Sequence, residues 1–187
     1  MRVSGGEFRG RWLKVPAGLE IRPTMDKTRQ AVFNILQNEI RGALFLDLCC
    51  GTGIMGIEAL SRGADRVLFV DKSRKSRDLV ERNLESLPIS GSTRITDSDV
   101  LRFLSSFNET PISGRLIMYF DPPYEEKKLY HQVILKVDRM NLENLLFFVE
   151  HGDPLNISEE LLHLCLWKEK RYGSKWISAF TTIPDFW

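Results

Sequence analysis

The sequence predicts an α/β fold, a mostly parallel seven-stranded sheet with an antiparallel C-terminal strand and an N-terminal β-hairpin extension. Three observations carry this expectation. Short apolar runs of strand length alternate with stretches of helical periodicity along the chain. Phe45–Asp71 (FLDLCCGTGIMGIEALSRGADRVLFVD) joins a strand, a glycine turn, a helix and a second strand. Near the end, Cys165–Lys168 and Trp176–Thr182 read as strands on either side of a turn at Gly173, an antiparallel pair closing the sheet.

The elements follow in order. Phe8–Val15 mixes basic and apolar residues ahead of Pro16, Gly18 and Pro23, a poor helix and a plausible small hairpin with its arginines facing out. Arg22-Pro23-Thr24-Met25-Asp26 predicts a helix start capped by Thr24 or Asp26. Its buried side is Ala31, Ile35 and Asn38, or Val32, Leu36 and Ile40, with Phe33 flanking. Leu44–Leu48 is an apolar run fit for a buried parallel strand. Gly51-Thr52-Gly53 turns the chain into a helix at Ile54–Arg62, and Arg66–Val70 is the second strand, ending at Asp71.

Ser73 caps a helix running to Leu87, amphipathic through Leu79, Val80, Leu84 and Leu87. After a turn at Pro88–Gly91, Thr93–Thr96 forms the third strand, and Asp97-Ser98-Asp99 caps a helix through Phe103. Arg115–Phe120 is the fourth strand and Asn144–Val149 the fifth, which ends at Glu150. A short helix near Ser158–Leu162 precedes the closing pair.

Composition narrows the function. At 187 residues and 43% hydrophobic, the chain can bury one good core and fits one domain with a small appendage. We divide it into a basic hairpin extension at residues 1–24 and a main domain at 25–187. No apolar run approaches the ~18 residues of a membrane span, and MRVSGG lacks the apolar core of a signal peptide. The three cysteines, Cys49, Cys50 and Cys165, have no paired metal spacing, and His131, His151 and His163 share no ligand spacing, so no metal site is expected. A cytoplasmic, reduced protein is the simplest account, and it is expected to act as a monomer.

The formal net charge of +1 hides an asymmetry. Residues 1–41 carry eight Lys or Arg against four acids, a balance of +4, and the remainder carries eighteen against twenty-one, or −3. A basic leading segment on a slightly acidic body suggests a local phosphate-binding face. Lys168, Lys170, Arg171 and Lys175 make the C-terminal tip basic as well.

Gly51, Gly53 and Gly56 satisfy the dinucleotide pattern GxGxxG, and Asp71 follows at about the ~20-residue distance of a ribose contact. A nicotinamide or flavin enzyme and an S-adenosyl-L-methionine enzyme both fit, since both ligands carry the ribose. Asp47 favours the second. Lying just before the turn, it can pair with the ammonium of the methionine moiety, whereas it would repel a pyrophosphate. In an open parallel sheet the ligand lies beyond the carboxyl ends of the strands, where the glycine turn and Asp71 fall. Asp99, after the third strand, lies near the adenine end of such a site and is the candidate acceptor of the adenine amine.

The fourth strand runs into Asp121-Pro122-Pro123-Tyr124. Two prolines make a rigid extended exit with no N–H groups to satisfy. They hold the Asp121 carboxylate and nearby carbonyls as fixed acceptors, with Tyr124 as a flat stacking surface. Acceptors converging on an amine suit methylation of a planar base, and they stabilise the positive charge that develops on its nitrogen. Adenine N6 and guanine N2 fit this motif alike. An RNA-binding assembly factor without transfer activity is a further possibility.

The chain resembles the RsmD family of small-subunit ribosomal RNA guanine-N2 methyltransferases nearly from end to end. The residues that carry the resemblance are Phe8–Leu13 (FRGRWL), Arg22-Pro23-Thr24 with Asp26 and Arg29, Phe33-Asn34, Leu46-Asp47, Gly51-Thr52-Gly53, Glu58–Ala64 (EALSRGA), Asp121–Tyr124 and Lys168–Gly173 (KEKRYG). The RPT segment and the EALSRGA helix are the most particular to it. One departure is Cys49-Cys50 where the family usually has Phe-Ala before the glycines.

The resemblance implies a Rossmann-like methyltransferase domain that acts on one guanine of 16S ribosomal RNA, within an assembling subunit. It implies that Asp47, Gly51 and Gly53 hold the methionine end of S-adenosyl-L-methionine, Asp71 the ribose and Asp99 the adenine. Asp121, Pro122, Pro123 and Tyr124 would receive a flipped guanine. Arg9, Arg11, Arg22 and Arg29 would hold RNA backbone, and Lys170 and Arg171 are candidates for the same role.

Overall fold

A computed structural model describes residues 1–16, 23–89, 91–111, 114–123, 125–155 and 157–183, apart from the side chains of 23–25 and 158. Its elements are α1 (Pro23–Ile35), β1 (Leu44–Leu48), α2 (Ile54–Ser61), β2 (Arg66–Asp71), α3 (Arg74–Glu85), β3 (Ser92–Asp97), α4 (Val100–Ser106), β4 (Leu116–Phe120), α5 (Lys127–Arg139), β5 (Leu145–His151), β6 (Cys165–Tyr172) and β7 (Lys175–Thr181). The strands form one seven-stranded sheet in the order β3-β2-β1-β4-β5-β7-β6. β7 runs antiparallel to both β5 and β6, so it reverses the direction that the other strands share.

The runs of β1, β2, β4 and β5 are predominantly apolar because both faces of the sheet are covered there. Along β1, Phe45 points into a cluster with Phe33, Ile57 and Phe69, whereas Leu44, Leu46 and Leu48 join Phe103, Phe120 and Val133 on the other side. Val32, Leu36 and Ile40 are the buried side of α1 and the turn after it, with Phe33 beside them. α5 stands where no element is predicted. Tyr130, Val133, Ile134 and Val137 recur along it at helical spacing and are buried, a pattern legible in the sequence.

Two other local expectations change. α1 begins at Pro23, so Asp26 lies in its first turn and Thr24 inside the helix, and neither is the cap. Arg22 lies outside the described residues. The hairpin expected at Phe8–Val15 starts earlier: Arg2 and Trp12 form an antiparallel bridge, with backbone bonds from Leu13 N to Met1 O and Val3 N to Arg11 O. Phe8 and Leu13 face inward, while Arg9 and Arg11 face solvent.

This N-terminal segment explains why α2 is buried on all sides from Met55 to Ser61, polar residues included. Glu58, fully buried, accepts hydrogen bonds from Ser4 N and Ser4 Oγ at 2.8 and 2.7 Å and pairs with Arg62 at 2.8 Å. Ser61 Oγ accepts from Phe8 N at 2.8 Å and donates to Gly5 O at 2.6 Å. The EALSRGA stretch is therefore the dock for the leading segment. A buried carboxylate on a helix is tolerable only when its oxygens are fully engaged, as these are.

Candidate active site

A cleft of about 520 Å³ opens at the carboxyl ends of β1, β2, β3 and β4, lined by the chain after each strand, by Leu129 of α5 and by Lys175. Its size is that of a small-molecule site. Gly51, Asp71, Asp99, Asp121, Pro122 and Pro123 all border it. A second cleft of about 620 Å³ lies between the N-terminal segment and the residues entering β1 and β2, including Arg41, Gly42 and Gly63. It is therefore at the opposite edge of the sheet.

The glycines divide the work. Gly51 has φ +50, and a Cβ there would meet only Cys49 O at 4.0 Å, so the backbone faces open space that a ligand can approach. Gly53 and Gly56 do not border the cleft. A Cβ on Gly53 would sit 2.9 Å from Val80, and one on Gly56 would sit 2.3 Å from Phe69. These two let α2 pack closely on α3 and β2. Packing alone therefore requires a glycine at position 53.

Asp71 holds the turn as well as the cleft wall. Its Oδ2 accepts from Gly51 N at 2.9 Å and its Oδ1 from Ser73 N at 2.8 Å. Asp99 caps α4, with Oδ1 accepting from Arg102 N at 2.9 Å, and it borders the cleft at the same time. Asp47 departs from expectation. Only 3% exposed, it turns beneath the loop, where Oδ2 accepts from Gly56 N at 2.9 Å. It anchors the start of α2 and does not line the cleft. Burial pushes its carboxyl up to about 7, against the lowering effect of the Gly56 bond.

The cleft floor is acidic. The Cys49 thiol is pushed up to about 12, first by burial and then by the charges of Asp71, Asp47, Asp121 and Glu126 around it. Cys49 and Cys50 are half-buried and buried beneath the turn. Four acids, Asp71, Asp99, Asp121 and Glu126, border the cleft against two lysines, Lys72 and Lys175, a balance that favours a cation over a pyrophosphate.

Asp121 leaves β4 half-buried, followed by the buried Pro122 and the exposed Pro123. Pro122 O accepts from Tyr130 Oη at 3.3 Å, which fixes the proline exit against α5. Tyr124 lies outside the described residues. Burial raises the Asp121 carboxyl, Glu150 raises it further, and Lys175 opposes the rise.

The basic residues separate into two kinds. Arg9 and Arg11 are exposed on the N-terminal segment, and Lys170 and Arg171 are exposed on β6, the outermost strand. None borders the cleft. Lys170 lies over the Tyr172 ring at 5.6 Å and Arg171 over the Trp176 ring at 5.9 Å. Arg29 is not available to RNA: it is 3% exposed, pairs with Asp26 at 3.0 Å and Glu58 at 3.5 Å, and donates to Arg2 O at 2.9 Å. Its cation is consumed in docking the leading segment. Lys175, grouped with the basic tip by sequence, instead turns inward to pair with the buried Glu150. Spacing alone gives no signal for that pair, because it depends on strand order.

Among the described residues no cluster of three or more His, Cys, Asp or Glu side chains could hold a metal ion, and no helix is long and apolar enough to cross a membrane.

Comparison with known proteins adds to this geometry. The family model described as Conserved hypothetical protein 95 matches residues 1–181. The chain is 34% identical to a candidate rRNA methyltransferase, YlbH, of Bacillus subtilis (strain 168), over 96% of its own length and 98% of that protein's. It is also 34% identical to ribosomal RNA small subunit methyltransferase D of Escherichia coli (strain K12), over 87% and 82% of the two chains. Among solved structures, a candidate methyltransferase from Escherichia coli, yhhF, superposes with a TM-score of 0.77 at 28% identity, covering 96% of each chain.

Proposed function

The chain belongs to the RsmD family of small-subunit ribosomal RNA methyltransferases, and we propose that it transfers the methyl group of S-adenosyl-L-methionine to the exocyclic N2 amine of one guanine in 16S rRNA. The observation that carries the reading is the pairing of an acidic, cation-attracting cleft with the Asp121-Pro122-Pro123 acceptors on its border.

S-adenosyl-L-methionine supplies an electrophilic methyl group on a positively charged sulfur, and the residues present fit it. Gly51 offers backbone without a side chain, Asp71 an acceptor for the ribose hydroxyls, and Asp99 an acceptor at the adenine end. Asp47 secures the turn from beneath and adds negative charge. The apolar wall includes Val70, Val100 and Leu129.

Asp121 accepts an N–H of the guanine amine, which lets that nitrogen pyramidalise and direct its lone pair at the methyl carbon. The same carboxylate takes up the proton the amine sheds. Tyr130 holds the Pro122 carbonyl beside it, and Tyr124 follows in the motif as the stacking surface. The base must leave its stack to reach this border. Residues 1–24 present Arg9 and Arg11 to RNA phosphates, next to the catalytic domain of 25–187, with Lys170 and Arg171 as a second basic surface. Phosphate contacts of this kind position the RNA more than they select a base. The protein acts as a cytoplasmic monomer on the assembling subunit.

Asp121→Ala tests the reading: methyl transfer falls to background while calorimetry still registers S-adenosyl-L-methionine binding. Normal turnover by that variant would remove Asp121 from the chemistry.

A further inference from the structure

Three polar side chains stand beside Asp121 without a part in that chemistry: Tyr119, Glu150 and Lys175. We propose that Lys175, its ammonium held by Glu150, is a positioning residue for methyl transfer that keeps the Asp121 carboxylate poised to accept the substrate amine. The inference rests on the reading of Asp121 given above.

Strand register brings the groups together. Asp47 on β1 is the partner of Tyr119 on β4, and Phe120 pairs with Val149, so Asp121, the first residue past β4, comes beside Glu150, which is still within β5. On β7, Ile177 is the antiparallel partner of Glu150, and Lys175 lies two residues earlier on the same face. Because β7 runs backwards, its first residue arrives at the carboxyl edge of the parallel strands. In a sheet without this reversal, the first residue of the strand would fall at the opposite edge. The turn at Gly173 therefore delivers an ammonium to the acidic side of the cleft.

Glu150 is buried, and it is gripped from two sides. Its Oε2 accepts from Tyr119 Oη at 2.6 Å, and its Oε1 pairs with Lys175 Nζ. A lysine head on a flexible four-carbon stem needs such a clamp to sit in one place. Lys175 itself borders the cleft along with Asp121 and Pro122, and its side chain is 16% exposed.

Charge gives the arrangement its purpose. From β1, β4, β5 and β7, the groups around Asp121 are Asp47, the neutral phenol of Tyr119, Glu150 and Lys175, with the Cys49 thiol from the turn. Lys175 is the cation that acts on Asp121 within this set, and it counters the repulsion from Glu150 and Asp47. Adjacent carboxylates without a cation share a proton. A protonated Asp121 can neither accept the amine hydrogen on that oxygen nor take up the shed proton.

The test is the pH dependence of kcat on small subunits, with N2-methylguanosine as the counted product, for wild type, Lys175→Met, Lys175→Arg, Glu150→Gln and Asp121→Asn. Lys175→Met should move the acidic limb upward by about one pH unit or more, the size of the effect of a nearby opposite charge. On the limb it should run about tenfold below wild type for each unit of movement and rejoin wild type at high pH. Lys175→Arg should stay near wild type. Glu150→Gln removes the like charge and should move the limb downward, a readout that remains if the methionine variant does not fold. A loss by Lys175→Met that is the same at every pH, or no loss, would overturn the inference. Wild type giving no N2-methylguanosine, or Asp121→Asn keeping full turnover, would instead sink the underlying reading. An inactive Asp121→Asn with unmoved Lys175 and Glu150 profiles would sink this inference alone.

Discussion

The backbone N–H of Gly51 donates to the Asp71 carboxylate at 2.9 Å, which makes the turn after β1 and the acid after β2 a single unit. Asp71 thereby sets the position of the turn backbone, and it borders the cleft itself. Asp71→Ala should cost S-adenosyl-L-methionine affinity roughly ten- to a hundredfold, the size expected from losing charge-assisted hydrogen bonds of about 1.5–3 kcal/mol. Calorimetry checks this, and an unchanged affinity would detach Asp71 from the site.

Binding of the cationic ligand should be coupled to protons. Burial pushes the Asp47 carboxyl up to about 7, and burial together with Glu150 raises Asp121. Near neutral pH these groups carry protons part of the time, and a bound cation favours their charged forms. Binding should therefore release protons, and affinity should rise between about pH 6 and 8. Titrations in buffers of different ionisation enthalpy measure the proton count. Proton uptake, or an affinity that falls with pH, would contradict the acidic-floor account.

Two sets of arginines should behave in opposite ways. Neutralising the exposed Arg9 and Arg11 should weaken RNA binding and flatten its salt dependence, by about 0.7–0.9 in log–log slope for each phosphate left without its cation. Folding and S-adenosyl-L-methionine affinity should be unaffected. Arg29→Ala strips a partner from the fully buried Glu58 and should destabilise the fold by about 3–5 kcal/mol, read as a lowered melting temperature. An Arg29→Ala protein that melts like wild type but binds RNA poorly would restore Arg29 to the RNA surface.

The contrast between these arginines marks where the sequence is legible. Apolar runs locate β1, β2, β4 and β5, because a doubly covered parallel sheet needs continuous apolar strands at its centre whatever their partners, whereas the edge strands β3 and β6 are largely exposed and are marked by the turns that flank them. That Gly51, Asp71, Asp99 and Asp121 border the cleft is legible because each stands at or just beyond a strand end, where this topology opens a crevice. Arg29 misleads because its partner, Glu58, is distant in sequence and sits on a helix whose outer face is covered by the leading segment. The pairing of Lys175 with Glu150 needs the order β5-β7-β6, which no local pattern encodes. Asp47 illustrates a finer limit: its place before the turn is legible, but whether its carboxylate faces the cleft or the start of α2 depends on the geometry of the loop.

The most direct measurement is to incubate the protein with labelled S-adenosyl-L-methionine and small ribosomal subunits from cells lacking the modification, digest the RNA, and identify the labelled nucleoside. The account predicts N2-methylguanosine. N6-methyladenosine would keep the fold and the methyl donor but contradict the assignment of guanine, and an absence of label from both subunits and naked 16S rRNA would contradict the proposed activity.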